Sequence, residues 1–140
     1  MLEQKLSNRI MQCYYKVYNT LGYGFLEKVY ENALYLELIN NGISCKRQCP
    51  IKVFYYDNIV GEYYADIVVE DLIILELKAA ESIALEHECQ LINYLKATEI
   101  EVGLLLNFGK EPKFMRKIFT NDRKCLRLNT DKTNFTNDRE

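Results

Sequence analysis

The sequence contains no apolar run long enough to cross a bilayer, which takes about 20 consecutive apolar residues. Residues 1–18, MLEQKLSNRIMQCYYKVY, mix charged with apolar side chains and lack the continuous apolar segment of a secretory signal peptide. We therefore expect a soluble, cytoplasmic protein that makes no use of a membrane.

A basic excess is also absent, because 18 Lys and Arg residues are outnumbered by 20 Asp and Glu residues and the net charge is −2. The composition gives no overall attraction to nucleic acid. The charge is uneven, however, and residues 110–127, KEPKFMRKIFTNDRKCLR, are strongly basic. Such a stretch can follow a phosphate backbone or can simply be a solvated surface.

Histidine is nearly absent, and the five cysteines follow no common metal-binding spacing. His87 is the single histidine and lies two residues from Cys89, while Cys45 and Cys49 are four residues apart. These intervals are not those of zinc knuckles or fingers. An odd number of cysteines without an export signal favours free thiols. We predict free cysteines rather than a zinc site.

The length of 140 residues allows one domain with its own core. We assign that domain to residues 1–128 and expect the polar residues 129–140 to form a disordered tail. The tail repeats at 135–139 the pentapeptide FTNDR of residues 119–123, for which we find no physical reason.

Three stretches repeat apolar residues at the spacing of an amphipathic helix: 3–19, 25–42 and 83–98. Asn41 and Gly42 form a natural C-terminal cap for the second helix. Ser82 is the predicted N-cap of the third.

Between and after these helices the period changes to that of β-strands. Strands are predicted at residues 49–57, 61–71, 72–79, 102–108 and, as a possible edge strand, 113–119. The run VGLLLNF of the fourth strand is wholly apolar, which is typical of a strand covered on both faces. The order αα-βββ-α-β predicts an α/β fold in which helices flank a mixed central β-sheet.

Two carboxylates and an ammonium interrupt the second and third predicted strands at Asp66, Glu76 and Lys78. Residues two apart in a strand share a face, so Glu76 and Lys78 project together. If residues 70–72 form a three-residue loop, Asp66 lies opposite Glu76 with Cβ atoms about 5 Å apart. A two-residue turn would place Asp66 on the other face unless a bulge restored it.

Two carboxylates this close repel each other unless one is protonated or a cation lies between them. Magnesium or manganese takes carboxylate oxygens and keeps several waters, so Asp66, Glu76 and the backbone carbonyl of Leu77 could bind such an ion. Lys78 could then orient, or help to deprotonate, a water that attacks phosphorus. The alternative is a purely structural cluster in which Lys78 neutralises the carboxylates.

In order and spacing these residues resemble the D…ExK signature of the PD-(D/E)XK nuclease superfamily, with Ala65 where a proline often precedes the aspartate. Gln90 and Tyr94 are similar to the QxxxY element of its RecB-like branch. Residues 24–30, GFLEKVY, match the motif that names the GxxExxY protein family within the superfamily. The resemblance covers residues 5–120.

The resemblance implies a restriction-endonuclease-like αβββαβ core with an N-terminal helical pair. It also implies a magnesium- or manganese-dependent enzyme that hydrolyses phosphodiester bonds of nucleic acid. Asp66 and Glu76 would bind the metal, and Lys78 would act on the water. Glu27 would point into the same cleft and could complete the metal site.

On the third helix, Gln90 would hydrogen-bond near the site or to substrate, with Tyr94 packed beneath it. Simpler interpretations stay open: Glu27 and Glu31 could face water as an i,i+4 pair, and Gln90 could be an exposed helix former. Tyr30 and Tyr94 could be core aromatics.

For the whole chain, the alternative is a catalytically inactive module on the same fold that binds nucleic acid or another protein. The acidic balance of the chain suggests that a nuclease of this kind would bind its substrate weakly, or would need a homodimer or a protein partner to hold it.

Overall fold

A five-stranded β-sheet lies between helices on its two faces in the computed structural model, which describes residues 2–124. The elements in chain order are α1 (Gln4–Leu21), α2 (Glu27–Asn40), β1 (Cys45–Tyr55), β2 (Asn58–Val69), β3 (Ile73–Lys78), α3 (Leu85–Lys96), β4 (Val102–Phe108), β5 (Pro112–Ile118) and a 3-10 turn (Asn121–Arg123). This confirms the predicted element order and the mixed α/β class. Cys125 and the predicted tail at 129–140 lie outside the described residues.

The spatial order of the strands is the same as their order in the chain, β1-β2-β3-β4-β5. All neighbouring pairs are antiparallel except β3 and β4, which are parallel and are connected through α3. A parallel pair needs such a crossover, whereas antiparallel neighbours can be joined by short loops.

Two apolar cores fill the space between the sheet and the helices. Helices α1 and α2 pack on one face, where Leu75 and Leu77 of β3 are buried, and α3 packs on the other, against Ile74. All seven residues of β4 are buried, which confirms the prediction of a strand covered on both faces. Gly103 allows α3 to approach β4 closely, because a Cβ there would lie 2.7 Å from a Leu91 methyl carbon.

The two predicted helix caps have opposite outcomes. Gly42 has φ 74°, and the amide of Ile43 donates to the carbonyl of Leu38 at 3.0 Å, so the predicted C-terminal cap of α2 is confirmed. Ser82 as N-cap of the third helix is wrong, because α3 begins at Leu85. Its N-cap is Ala84, whose backbone N–H donates to Nδ1 of His87 at 3.1 Å.

No helix within residues 2–124 combines the length and the apolar character needed to cross a membrane.

Candidate active site

The pairing of β2 with β3 decides whether the two strand carboxylates meet. Ile67 pairs with Leu75 and Val69 with Ile73, which leaves residues 70–72 as a three-residue loop. One step further along this register, Asp66 lies opposite Glu76. The predicted register is therefore confirmed.

Regular pairing between β2 and β3 ends one residue before these carboxylates. Beyond that point, backbone N–H groups donate to side-chain carboxylates instead of to backbone carbonyls of the neighbouring strand. The backbone N–H of Asp66 donates to Oε2 of Glu76 at 3.0 Å, and the backbone N–H of Leu77 donates to Oδ2 of Asp66 at 2.8 Å. Each carboxylate is thus held by the opposite strand, at the point where the two strands separate.

Alternation along β3 places Glu76 and Lys78 on the face of the sheet covered by α3. Their neighbours Leu75 and Leu77 belong to the core under α1 and α2, while Ile74 packs in the core under α3. Glu76 is only 4% exposed, and Lys78 is half-buried. The structure thus brings the three predicted strand residues together on one side of the sheet.

The site holds more negative charge than its surroundings stabilise. Burial first, and then the charge of Asp66, raises the pKa of Glu76 to about 8. Burial also raises the pKa of Asp66, although the hydrogen bond from Leu77 opposes the shift. Lys78 lowers both pKa values without cancelling these effects.

Such an excess of buried carboxylate charge is what a divalent cation relieves, so the residues present fit a metal ion. Within residues 2–124, no group of three or more His, Cys, Asp or Glu side chains is arranged to hold a metal. An ion at Asp66 and Glu76 would therefore keep several waters, as magnesium commonly does. The four described cysteines are free thiols, in agreement with the sequence.

Helix α2 brings two glutamates near the carboxylates. Glu27 is its first residue and is exposed, whereas Glu31, one turn later, is only 5% exposed. Both charges raise the pKa of Asp66, and Glu31 has the larger effect. The interpretation that both glutamates face water is wrong for Glu31.

Glu31 is held by two partners. Its Oε2 lies 3.2 Å from Nζ of Lys28, and its Oε1 accepts a hydrogen bond of 2.9 Å from Nε2 of Gln48. Gln48 of β1 lies opposite Asp66 of β2, because Arg47 pairs with Ile67 and Cys49 pairs with Ala65. The backbone of Gln48 has φ 52°. A non-glycine residue in this conformation inside a strand is uncommon and marks a site held by its surroundings.

Sequence reasoning did not identify Glu31 or Gln48 as site residues. The only signal for Glu31 was its spacing of four residues from Glu27. Gln48 had none, because a local kink in a strand leaves no periodic pattern.

The residues of the GxxExxY motif have different roles in the fold. Gly24 has φ 110°, a conformation that favours glycine, in the turn before α2. Tyr30 is fully buried, donates to the carbonyl of Gly22 at 2.7 Å and stacks on Phe108 at 4.2 Å between ring centroids. Tyr30 is therefore a core aromatic, and Glu27 is the exposed member of the motif.

Helix α3 supplies the second pair of predicted helix residues. Nε2 of Gln90 donates to the hydroxyl of Tyr94 at 2.5 Å, and Tyr94 is buried. Burial and then the charge of Glu76 raise the pKa of Tyr94, with a smaller contribution from Asp66. Tyr94 therefore lies near both carboxylates, and the half-buried Gln90 contacts its hydroxyl.

The basic stretch at 110–127 lies mainly on β5, the edge strand two positions from β3. Most of its described cations have partners inside the molecule: Lys113 with Glu111, Arg116 with the Leu2 carbonyl, Lys117 with Glu88, Arg123 over the Phe119 ring, and Lys124 with the Thr98 and Ile100 carbonyls. These contacts favour a structural role over the tracking of phosphates. Residues 125–127 lie outside the described part of the chain.

Fold and site together define an α/β domain of the restriction-endonuclease type, with two carboxylates and a lysine where two strands separate. The family model of the PD-(D/E)XK nuclease superfamily matches residues 4–118, and the chain belongs to this superfamily. Members of the superfamily generally use divalent metal ions.

Among solved structures, the crystal structure of SSO0001 is similar in fold, with a TM-score of 0.57 and 15% sequence identity. The match covers 81% of this chain and 61% of SSO0001, so the chain spans less than two thirds of that protein. No curated protein matches the sequence.

Proposed function

We propose that the protein is a metal-dependent nuclease that hydrolyses phosphodiester bonds of nucleic acid with magnesium or manganese. The observation that carries the proposal is the pair Asp66 and Glu76, fixed side by side where β2 and β3 separate, with Lys78 on the same face. Membership of the PD-(D/E)XK nuclease superfamily supports nuclease chemistry on a nucleic acid.

Each residue has a role that its position allows. Asp66, Glu76 and the carbonyl of Leu77 would hold the metal, which supplies Lewis-acid stabilisation of the phosphate when bound. Lys78 would orient the attacking water and stabilise the charge that develops on the phosphate oxygens. The water oxygen forms the new bond to phosphorus, the bond to the leaving oxygen breaks, and the water proton passes to solvent while the leaving oxygen takes one up.

Glu27 and Gln90 are proposed as accessory residues of the same site. The fold explains Gly24 and Tyr30 of the motif through the turn and the core, whereas Glu27 is exposed and its charge raises the pKa of both carboxylates. Placement in the GxxExxY family and the RecB-like branch is part of this proposal. Parent-like cleavage by Glu27→Gln or Gln90→Ala would remove that residue from the site.

Lys78→Ala should lower cleavage roughly hundredfold or more, the usual size of such a catalytic contribution. Parent and variant are incubated with labelled linear, flapped and branched DNAs and single-stranded RNA, with magnesium, manganese or chelator. Lys113→Ala, an exposed lysine on the far edge strand, is the matched control and should cut like the parent.

Cleavage by Lys78→Ala at the parental rate, with an unchanged melting temperature, would contradict the proposed role of Lys78. Absence of cleavage by the parent on every substrate would favour the catalytically inactive binding module on this fold.

A further inference from the structure

A cleft of about 480 Å³ lies between the β1–β2 hairpin and helix α3. Its lining residues are Val53, Tyr63, Glu86, Cys89, Gln90, Asn93 and Tyr94. The volume is in the range of small-molecule sites, roughly 300–1,000 Å³. Tyr94 is shared between the two regions: it lines the cleft, and the nearby charges of Glu76 and Asp66 raise its pKa, so the cleft lies beside the candidate active site.

The hairpin wall of the cleft stands away from the rest of the sheet. Residues 58–65 of β2 pair with β1 but not with β3, whose pairing begins at Ile67. Tyr63 and Tyr64 are adjacent on this free part and are 48% and 51% exposed. Of these two tyrosines, only Tyr63 points towards α3. The centroid of its ring lies 5.6 Å from that of Tyr94, and the two ring planes form an angle of 44°.

Some polar groups of the cleft make no hydrogen bond within the described part of the molecule, although Nε2 of Gln90 donates to the hydroxyl of Tyr94. Neither the side-chain amide of Asn93 nor Oε1 of Gln90 makes a hydrogen bond there. Glu86, at the rim, is exposed. None of the described lining residues is Lys or Arg. Aromatic faces with amide donors and acceptors suit a flat heterocyclic base, whereas a carboxylate without a cation disfavours a phosphate in the cleft.

We propose that this cleft binds an unpaired nucleobase of a single-stranded nucleic acid, beside the phosphodiester positioned at Asp66 and Glu76. The placement of that phosphodiester rests on the proposed nuclease function. A base in a duplex has both faces stacked and its pairing edge occupied, so it cannot stack on Tyr63 and bond to Asn93 together. The protein should therefore prefer single strands to duplex.

Binding is measured by fluorescence anisotropy of the full chain with a labelled single strand and with its duplex, in chelator to prevent cleavage. Tyr63→Ala should weaken single-strand binding roughly five- to hundredfold, the usual cost of losing one aromatic stacking partner. Tyr63→Phe, which keeps the ring, should bind like the parent. Tyr64→Ala removes an equally exposed tyrosine from the other face of the same strand and should bind almost unchanged.

Cys89 gives an independent readout of where the base lies, because it is the exposed cysteine among those described. A single-stranded oligonucleotide should slow the alkylation of Cys89. The rate of alkylation is measured by mass spectrometry of the peptide that contains Cys89. The same concentration of oligonucleotide should not slow the alkylation in Tyr63→Ala.

Undetectable binding, equal affinity for single strand and duplex, equal losses in Tyr63→Ala and Tyr64→Ala, or alkylation of Cys89 unaffected by oligonucleotide would each overturn the inference. Since cleavage is not needed for these measurements, the two proposals fail separately. Base binding without cleavage contradicts only the nuclease activity, and cleavage without protection of Cys89 contradicts only the base cleft.

Discussion

Glu76 shows how strongly position changes the chemistry of one residue. It is buried beside Asp66, and both burial and that charge raise its pKa to about 8 from an ordinary value of 4.5. Between these values the folded protein binds a proton on Glu76 that the unfolded chain has lost. Stability and proton binding are therefore linked at this residue.

The metal-free protein should become less stable as the pH rises from about 5 to about 8. The folded-state pKa of Glu76 is raised, so its favourable contribution is complete below the unfolded pKa and is lost as the pH approaches the folded one. The loss should be on the order of a few kcal/mol, and Glu76→Gln should remove most of it. Urea unfolding in chelator across this pH range measures the difference.

Glu86→Gln, a change at an exposed glutamate on α3, is the control for this measurement and should keep the parental pH dependence. A Glu76→Gln protein whose unfolding free energy falls with pH as steeply as that of the parent would show that Glu76 is not the group responsible.

The strand residues of the site could be predicted from sequence, whereas the helix and β1 residues around them could be predicted only in part. The alternation of side chains along a strand places Glu76 and Lys78 on one face, and the three-residue loop places Asp66 opposite Glu76. A short local pattern was therefore enough to predict that these three residues lie together. Glu31 and Gln48 meet through tertiary packing across 17 positions of sequence. No local pattern encodes a contact of that kind.

At the scale of elements, Asn107 connects β4 to the segment that follows Lys78. It pairs with Lys78 in the parallel register. Its side-chain amide accepts from the N–H of Ala80 and donates to the carbonyl of Ala80, both at 3.0 Å. The backbone carbonyl of Asn107 accepts a hydrogen bond from the hydroxyl of Tyr14 on α1. One buried amide thus continues the pairing of two strands beyond their last main-chain bond.

Asn107→Ala should lower the free energy of unfolding by about 1–3 kcal/mol, because it leaves the polar groups of Ala80 without their partners. It should also reduce cleavage, since the chain after Lys78 loses its anchor. Urea unfolding and the cleavage assay test the two effects. Asn40→Ala, at an exposed position near the end of α2, should change neither. Full stability of Asn107→Ala would contradict this account.

Element boundaries were harder to predict than element types. The strand predicted from residue 49 begins at Cys45, because β2 provides a partner for the polar segment before it, as the pairing of Lys46 with Val68 shows. The helix predicted from residue 83 begins at Leu85, because His87 supplies the acceptor that Ser82 was expected to provide. In the first case a partner strand outweighs the local preference, and in the second a side chain one turn along the same helix replaces the expected cap.

At the scale of the whole molecule, the basic stretch at 110–127 does not form a free cationic surface, because most of its described cations have partners within the molecule. The basic stretch supports the far edge of the sheet through contacts such as Lys117 with Glu88 at 2.8 Å. The two strand carboxylates, in contrast, meet where β2 and β3 separate, and the charges of Glu31 and Glu27 on α2 lie near enough to raise the pKa of Asp66. Under the proposed function, binding of a nucleic acid at such a site would depend on contacts to bases more than on a broad basic face.

A divalent metal should therefore stabilise the folded domain as a whole. For a dissociation constant of about 1 mM, roughly 10 mM magnesium or manganese adds about 1.4 kcal/mol to the free energy of unfolding. For a domain of this size that raises the melting temperature by roughly 3–6 °C. Thermal melts with and without chelator measure the shift, and no cleavage is required.

Asp66→Asn separates a metal site from a purely structural cluster. At a metal site it should abolish the metal-dependent shift and raise the melting temperature of the metal-free protein, because it removes a charge that repels Glu76. In a structural cluster it should lower the melting temperature, because Lys78 loses a partner, and metal should have no effect even on the parent. Asp122→Asn, at an exposed aspartate far along the chain, should melt and respond to metal as the parent does.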